Sequence, residues 1–159
     1  MTLRLLLGCL LGLVLAAPAL RASDLTIVRI QPGWRDAASF KRISEYFTGR
    51  EHTGREVVLR THPGTRAGYY FLIRVRNTGA PVRATFAFQV IPNSRAQPVL
   101  HQLTAELGTG DTLLNLGLTG PDWPEADTNP VAWKLEVKGE DGHVLATALS
   151  YLWEKPSAP

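Results

Sequence analysis

The chain has a single cysteine, Cys9, and it lies in an apolar N-terminal run. If that run is removed, the remaining chain has no thiol, which excludes a disulfide framework, a cysteine nucleophile and a thiolate metal site. The sequence also lacks the G-x-S-x-G, H-E-x-x-H, P-loop and G-x-G-x-x-G motifs. Its 4 histidines are scattered without metal-ligand spacing. We therefore predict no catalytic residue, no metal and no cofactor.

The N-terminal residues have the order of a secretory signal peptide. One early arginine precedes an apolar run from Leu5 to Ala17, and small residues surround Pro18. Cleavage after Ala22 is favoured over cleavage after Ala19, which predicts a signal peptide of residues 1–22 and a secreted or periplasmic protein. An uncleaved anchor is the alternative, but the run is shorter than the roughly 20 residues of a membrane span. We expect no span after cleavage.

Charge is nearly balanced once this segment is removed. The chain has 17 Lys and Arg against 14 Asp and Glu, and loss of Arg4 and Arg21 leaves 15 against 14. Nucleic-acid and membrane-surface partners need a concentrated basic excess, so the balance argues against both and we expect no nucleic acid.

The distribution of charge along the chain is uneven. Residues 23–95 have a net charge of +7, and residues 96–159 have a net charge of −6. We interpret this as pairing between neighbouring strands, with Arg74 and Arg76 beside Glu136. The alternative is a dipolar surface that steers a charged partner or promotes self-association.

From Arg55 onward the apolar residues alternate with a period of two, which predicts β-strands. Before this region, the run LTIVRI from Leu25 predicts a short strand that ends at Gln31 to Gly33. Together these make seven to eight strands at nearly regular spacing, separated by Gly and Pro, and Asp141-Gly142 marks a final hairpin. This pattern predicts a mainly β fold, an antiparallel β-sandwich. Six residues on the apolar sides of the strands are expected in the core: Phe71, Ile73, Phe86, Phe88, Trp133 and Leu135.

One short helix is predicted near residues 36–48. Phe40, Ile43 and Phe47 fall at i, i+3 and i+7, between Asp36 as a candidate N-cap and Gly49 as a candidate C-cap. A strand is the alternative, because Phe, Ile, Tyr and Thr also suit strands.

The region from Arg55 to Trp153 resembles immunoglobulin-like and fibronectin-III-like modules in its strand count, strand spacing and final hairpin. The Cys…Trp…Cys signature of immunoglobulin domains is absent. The resemblance implies an immunoglobulin-like β-sandwich as a single domain of residues 23–153, followed by a disordered tail at 154–159. A likeness at the level of the fold implies no particular activity.

The stretch TGREHTGRE, residues 48–56, repeats four letters around His52. The first interpretation is two successive turns of similar chemistry. The alternative is an anion site in which Arg50 and Arg55 converge beside the backbone N–H groups of the glycines. A metal at His52 is a weaker idea, because a lone histidine seldom makes a site.

Three aromatic side chains complete the candidate binding residues. Trp123, Trp34 and Tyr70 are possible platforms for a carbohydrate or another small molecule, and the alternative for Trp123 is to close the open end of the sandwich. We expect a non-catalytic module that binds a protein partner. Carbohydrate or small-anion binding is the first alternative, and an enzyme of unrecognised type is the second.

Overall fold

The structure, a computed structural model, describes residues 24–154. The strands are β1 Leu25–Arg35, β2 Val57–Arg60, β3 Gly68–Asn77, β4 Val82–Ile91, β5 Val99–Leu107, β6 Gly110–Thr119, β7 Ala132–Lys138 and β8 Val144–Leu149. The helices are α1 Ile43–Thr48 and α2 Tyr151–Glu154, and there are 3-10 turns at Ala38–Phe40 and Gly120–Asp122. The predicted mainly β fold is confirmed. The predicted signal peptide, 1–22, lies outside the described residues, as does the predicted tail beyond Glu154.

The strands form two four-stranded sheets that pack face to face as a sandwich. Sheet one has the order β1-β3-β6-β2, and sheet two has the order β5-β4-β7-β8. All pairs are antiparallel except β2 and β6, which run parallel. The predicted antiparallel sandwich is confirmed, with this one parallel pair at the edge of sheet one.

The parallel edge has a structural consequence for the chain between β1 and β2. β1 is antiparallel to β3, and β3 is antiparallel to β6, so β1 and β2 point the same way at opposite edges of sheet one. Two strands with the same direction need a long crossover connection rather than a tight turn. Residues 36–56 provide that connection.

The core lies between the inner faces of the two sheets. All six residues predicted for it are buried, with exposures from 0% for Phe71 and Phe88 to 8% for Trp133. Across the two sheets, the ring of Phe71 lies 4.7 Å from that of Phe88 and 5.4 Å from that of Trp133. The period-two alternation therefore gave the correct inner face of each strand.

β1 is longer than its pattern predicts. The run LTIVRI was expected to end at Gln31, but β1 continues through Pro32 to Arg35. Proline has no N–H to donate and is tolerated here because β1 is an edge strand of sheet one. The extension places Trp34 opposite Tyr69, on the side that packs against the core.

The predicted helix near residues 36–48 is present, in two pieces. Asp36 Oδ1 accepts a hydrogen bond from the backbone N–H of Ser39, at 2.7 Å, and a 3-10 turn follows. α1 ends at Gly49, which has the left-handed conformation (φ 66°) expected of a C-cap glycine. Within residues 24–154 no helix is long and apolar enough to cross a membrane.

Candidate functional site

The connection between β1 and β2 covers the outer face of sheet one, the face turned away from the core. We call residues 36–56 the strap. Its Phe40 ring lies 4.5 Å from the ring of Tyr70 on β3. A groove of about 150 Å³ lies beside this contact, and residues of both the strap and the sheet line it. The strap therefore adds a third layer to one side of the sandwich.

Tyr70 anchors this layer and is not an exposed platform. Its side chain points outward from β3, as the alternation predicts, yet its exposure is 0%. Phe40 packs on it, and Gly117 lies under the ring, where an added Cβ would come within 2.5 Å of a ring carbon. The Tyr70 hydroxyl donates to the carbonyl of Arg66 at 2.6 Å. The expectation of Tyr70 as a ligand-stacking surface is wrong because the strap buries the ring.

Arg60 on β2 joins the strap to the sheet. Its Nη1 and Nη2 donate to the two carboxylate oxygens of Glu51 at 2.9 and 2.6 Å, and its Nε donates to the Tyr70 hydroxyl at 2.7 Å. The guanidinium also lies 5.0 Å from the centre of the Phe40 ring. Only 7% of the Arg60 side chain is exposed. A bidentate pair at this burial is a strong, directional contact, and the hydrogen bonds from Arg60 lower the pKa of Glu51.

Arg66 makes a second attachment. Its Nη2 lies 2.6 Å from Glu45 Oε1 on α1, and its Nε lies 3.6 Å from Glu51 Oε2. The other oxygen of Glu45 is buried without a hydrogen-bond partner among the described residues. α1 is thus held, through the Glu45 carboxylate, to the connection between β2 and β3.

Glu56 completes the inward set of carboxylates. Its Oε2 accepts a hydrogen bond from Asn115 Nδ2 on β6 at 2.6 Å, and its Oε1 lies 3.9 Å from Arg42. All three glutamates of the strap therefore have partners on the side that faces the sheet or within the strap itself.

The repeated stretch TGREHTGRE forms two turns, and its arginines point to solvent. Gly49 and Gly54 both have a positive φ, 66° and 68°, which only glycine adopts without strain. Arg50 and Arg55, which follow them, are exposed and have no side-chain partner among the described residues. The side chains of this stretch that contact the sheet are Glu51, bound to Arg60, and Glu56, bound to Asn115, and the sequence interpretation missed both. The alternation of the strand after the stretch was the available signal for Glu51, because it places Arg60 on the outer face.

The outer side of α1 exposes three large apolar side chains. We call Ile43, Tyr46 and Phe47 the crown; their exposures are 79%, 76% and 85%. They fall at i, i+3 and i+4, so they share one face of the short helix. Of the three residues whose spacing predicted the helix, Phe40, Ile43 and Phe47, only Phe40 packs against the sandwich. Since Glu45 faces the sheet, the crown faces away from it.

Exposed cations flank the crown along the chain. Lys41, Arg50 and Arg55, which we call the rim, are exposed and have no ion-pair partner among the described residues. Arg42 is 49% exposed and contacts its carboxylate only at 3.9 Å. The strap therefore presents apolar and mostly positively charged groups to solvent, with Asp36 as an exposed carboxylate, whereas its glutamates are partly buried.

The two candidate tryptophans are packed into the fold. Trp123, after the 3-10 turn Gly120–Asp122, is 7% exposed and lies 4.9 Å from the ring of Tyr69. Its indole nitrogen is buried without a hydrogen-bond partner among the described residues. Trp34 is half-buried and packs against the same core. Neither presents a free ring face comparable with the crown.

A cleft of about 170 Å³ lies beside Trp123 at the end of the sandwich. Here the fold joins two histidines that are far apart in sequence. His62 Nε2 lies 3.2 Å and His101 Nδ1 3.7 Å from Asp122 Oδ2, and burial lowers the pKa of His101. Among residues 24–154, no group of three or more His, Asp or Glu is arranged to hold a metal ion.

The expected pairing of Arg74 and Arg76 with Glu136 is wrong. Arg76 pairs with Asp111 on β6, at 2.7 Å, and both lie on sheet one. Glu136 lies on the outer face of sheet two, between Lys134 at 2.5 Å and Lys138 at 3.1 Å. The predicted pairing of the basic half with the acidic half on neighbouring strands is present at Arg76 with Asp111 and at Arg83 with Glu106; only the predicted partner, Glu136, is wrong.

Comparison with known proteins gives no relative for this chain: no protein-family model, no curated protein and no solved structure matches it. The candidate site therefore rests on its own geometry.

Proposed function

We propose that this chain is an exported, non-catalytic binding module with an immunoglobulin-like β-sandwich, and that the crown is its contact surface. The observation that carries the proposal is the exposure of 76–85% at three neighbouring large apolar side chains. Soluble proteins seldom expose such contiguous apolar groups unless the groups bind something. The proposed export rests on the signal-like order of residues 1–22.

The attachment of the crown supports this proposal. A mobile loop would lose conformational entropy on binding, and this loss would weaken the complex. α1 is instead held by the buried contacts of Arg60 and Arg66 with the glutamates of the strap. Burial of each large apolar side chain stabilises a complex by about 1.5–3 kcal/mol. Three such side chains on a fixed support are sufficient for a specific, reversible contact.

Site-specific photo-crosslinking in the native compartment tests the proposal. A photoreactive amino acid in place of Phe47 should give adducts with another component, whether protein or lipid. The matched control is the same amino acid in place of Gln102, which is exposed on the outer face of sheet two. Equal labelling from both positions, or none from position 47, would contradict a binding role for the crown.

The end cleft favours small-molecule or carbohydrate binding as a second candidate function. Its walls include Trp123, His101 and Arg95. At about 170 Å³ it is smaller than the roughly 300–1,000 Å³ of most ligand pockets. A monosaccharide panel in a thermal-shift assay tests this function, with Arg95→Ala as the variant that should lose any stabilisation. Stabilisation that persists in the variant would exclude the cleft.

The two exposed arginines of the repeat favour a small anion as a further ligand of the strap. If Arg50 and Arg55 converge on one anion, sulfate should raise the melting temperature of the wild type but not of the double variant Arg50→Ala/Arg55→Ala. Equal stabilisation of both proteins would show that the repeat is only two turns. The expected effect is small because exposed charge pairs contribute about 0–1 kcal/mol.

A further inference from the structure

We propose that the crown inserts into the headgroup region of an anionic phospholipid membrane, with the rim cations on the lipid phosphates. This inference rests on the proposed role of the crown as the contact surface and names what it contacts.

The first argument is the separation of charge across the strap. Glu45 and Glu51 are directed at Arg66 and Arg60 on the inner side, whereas Lys41, Arg50 and Arg55 are exposed without a partner among the described residues. The exposed charges of the strap without an ion-pair partner among the described residues are therefore the three rim cations against one carboxylate, Asp36, so the exposed side of the strap is net positive. A positive surface around apolar side chains is complementary to anionic headgroups above hydrocarbon.

The second argument is the shape and size of the crown. Its three side chains project from a helix of six residues, with Phe47 at 85% exposure. An aromatic side chain buries about 150–250 Å², so three side chains of about this size at 76–85% exposure offer roughly 350–600 Å². A stable protein interface needs about 800 Å² from each partner. A membrane requires no complementary pocket, and Tyr46 combines an apolar ring with a polar hydroxyl, which suits the interface.

The third argument is the rest of the outer face of sheet one. Arg29, Arg35 and Arg74 are exposed on this face and form no ion pair among the described residues. Arg35 lines the groove beneath the strap, and Arg29 and Arg74 line the adjoining one. Since one weak signal seldom gives stable membrane attachment, the combination of an apolar crown with a broad cationic face is the significant feature.

Vesicle flotation tests the inference with defined lipids. The exported protein is mixed with vesicles of phosphatidylcholine alone or of phosphatidylcholine and phosphatidylglycerol in equal parts. We expect flotation with the anionic vesicles only, and a loss of binding as salt is raised, because the electrostatic part is screened. Equal flotation with both lipids, or none with either, would overturn the inference.

Two variants and a matched control assign the binding to the strap. Ile43→Ser/Phe47→Ser should weaken the partition coefficient at least about tenfold, since each lost apolar side chain costs about that much. Arg50→Gln/Arg55→Gln should weaken it about tenfold at low salt. Leu100→Ser, which changes a side chain 55% exposed on sheet two, should bind as the wild type does. Melting temperatures verify that all three variants are folded.

The outcome also separates this inference from the proposed function. If vesicles do not bind but crosslinking from position 47 yields a protein adduct, the crown is a protein-docking surface; the proposed function stands and the membrane inference is wrong. If neither vesicles nor crosslinks are found, both are wrong. Flotation that the crown substitutions do not reduce would also contradict the inference.

Discussion

The outer faces of the two sheets differ in both cover and charge. Sheet one takes three of its four strands from the basic part of the chain and carries the strap. Sheet two takes three of its four strands from the acidic part, and no segment of residues 24–154 forms a comparable layer on it. On sheet two the charges neutralise one another, as in the pairs of Arg83 with Glu106 and of Lys134 with Glu136. On sheet one several arginines have no such partner among the described residues.

This difference shows that a chain whose total charge is nearly balanced can still fold into a molecule whose two faces differ in charge. The 15 basic and 14 acidic residues left without 1–22 argue against a basic surface when they are counted together. The strand order separates the basic from the acidic residues: among the described strands, sheet two contains one from the basic part, β4, and sheet one contains one from the acidic part, β6. A local count on each face is therefore the relevant quantity for predicting partners.

The largest expected effect comes from removing the ring that joins the strap to sheet one. Tyr70→Ala should lower the free energy of unfolding by about 3–5 kcal/mol, because it empties a fully buried site and removes two hydrogen bonds. Gln102→Ala, at an outward position of sheet two, should change it by less than about 0.5 kcal/mol. Urea unfolding measures both. If both substitutions change the free energy of unfolding by similar small amounts, the strap does not cover the outer face of sheet one.

The next largest effect concerns the ion pairs of the two faces. Glu51→Ala leaves the nearly buried guanidinium of Arg60 without its bidentate partner and should cost about 2–4 kcal/mol. Glu106→Ala breaks an exposed pair on sheet two and should cost less than about 1 kcal/mol. Chemical denaturation of the two variants gives the comparison directly. Equal costs would contradict the difference in burial between the faces.

A pH dependence should follow from the same pair. Because the hydrogen bonds from Arg60 lower the pKa of Glu51 below its ordinary value of 4.5, the carboxylate stabilises the fold above that value. This contribution should be lost as the pH falls from about 5 through the lowered pKa. Hydrogen exchange of the α1 amides, followed over this range, should show the strap loosening. In Glu51→Gln the amides should exchange faster already at neutral pH and show a weaker dependence.

The smallest effect is expected at the crown. Phe47→Ser should change the free energy of unfolding by less than about 0.5 kcal/mol, because 85% of the side chain is already exposed. A loss of more than about 2 kcal/mol would show that Phe47 packs in the folded protein. Phe47→Ser therefore separates binding from stability, because it should impair contact with a partner while leaving the free energy of unfolding unchanged.

Much of the fold could be predicted from local pattern. The alternation around Phe71 and Phe88 identified the inner faces, and Gly49 marked the end of the helix before Arg50. These features depend on neighbours in sequence, because side-chain direction and backbone conformation are set locally. The parallel pairing of β2 with β6 was not predictable in this way, since it depends on which edge of the sheet the chain reaches after β1.

The candidate site also divides into features that local sequence determines and features that depend on the tertiary structure. The sequence by itself determined the eight strands, the inner set of apolar residues, the two glycine turns of TGREHTGRE and the excess of arginine before residue 96. Only the tertiary structure decided that Tyr70 is buried, that Glu51 rather than the repeated arginines is bound, and that Phe47 faces solvent. Burial on an outer face depends on whether another segment crosses it, and here the parallel direction of β1 and β2 requires the strap to do so.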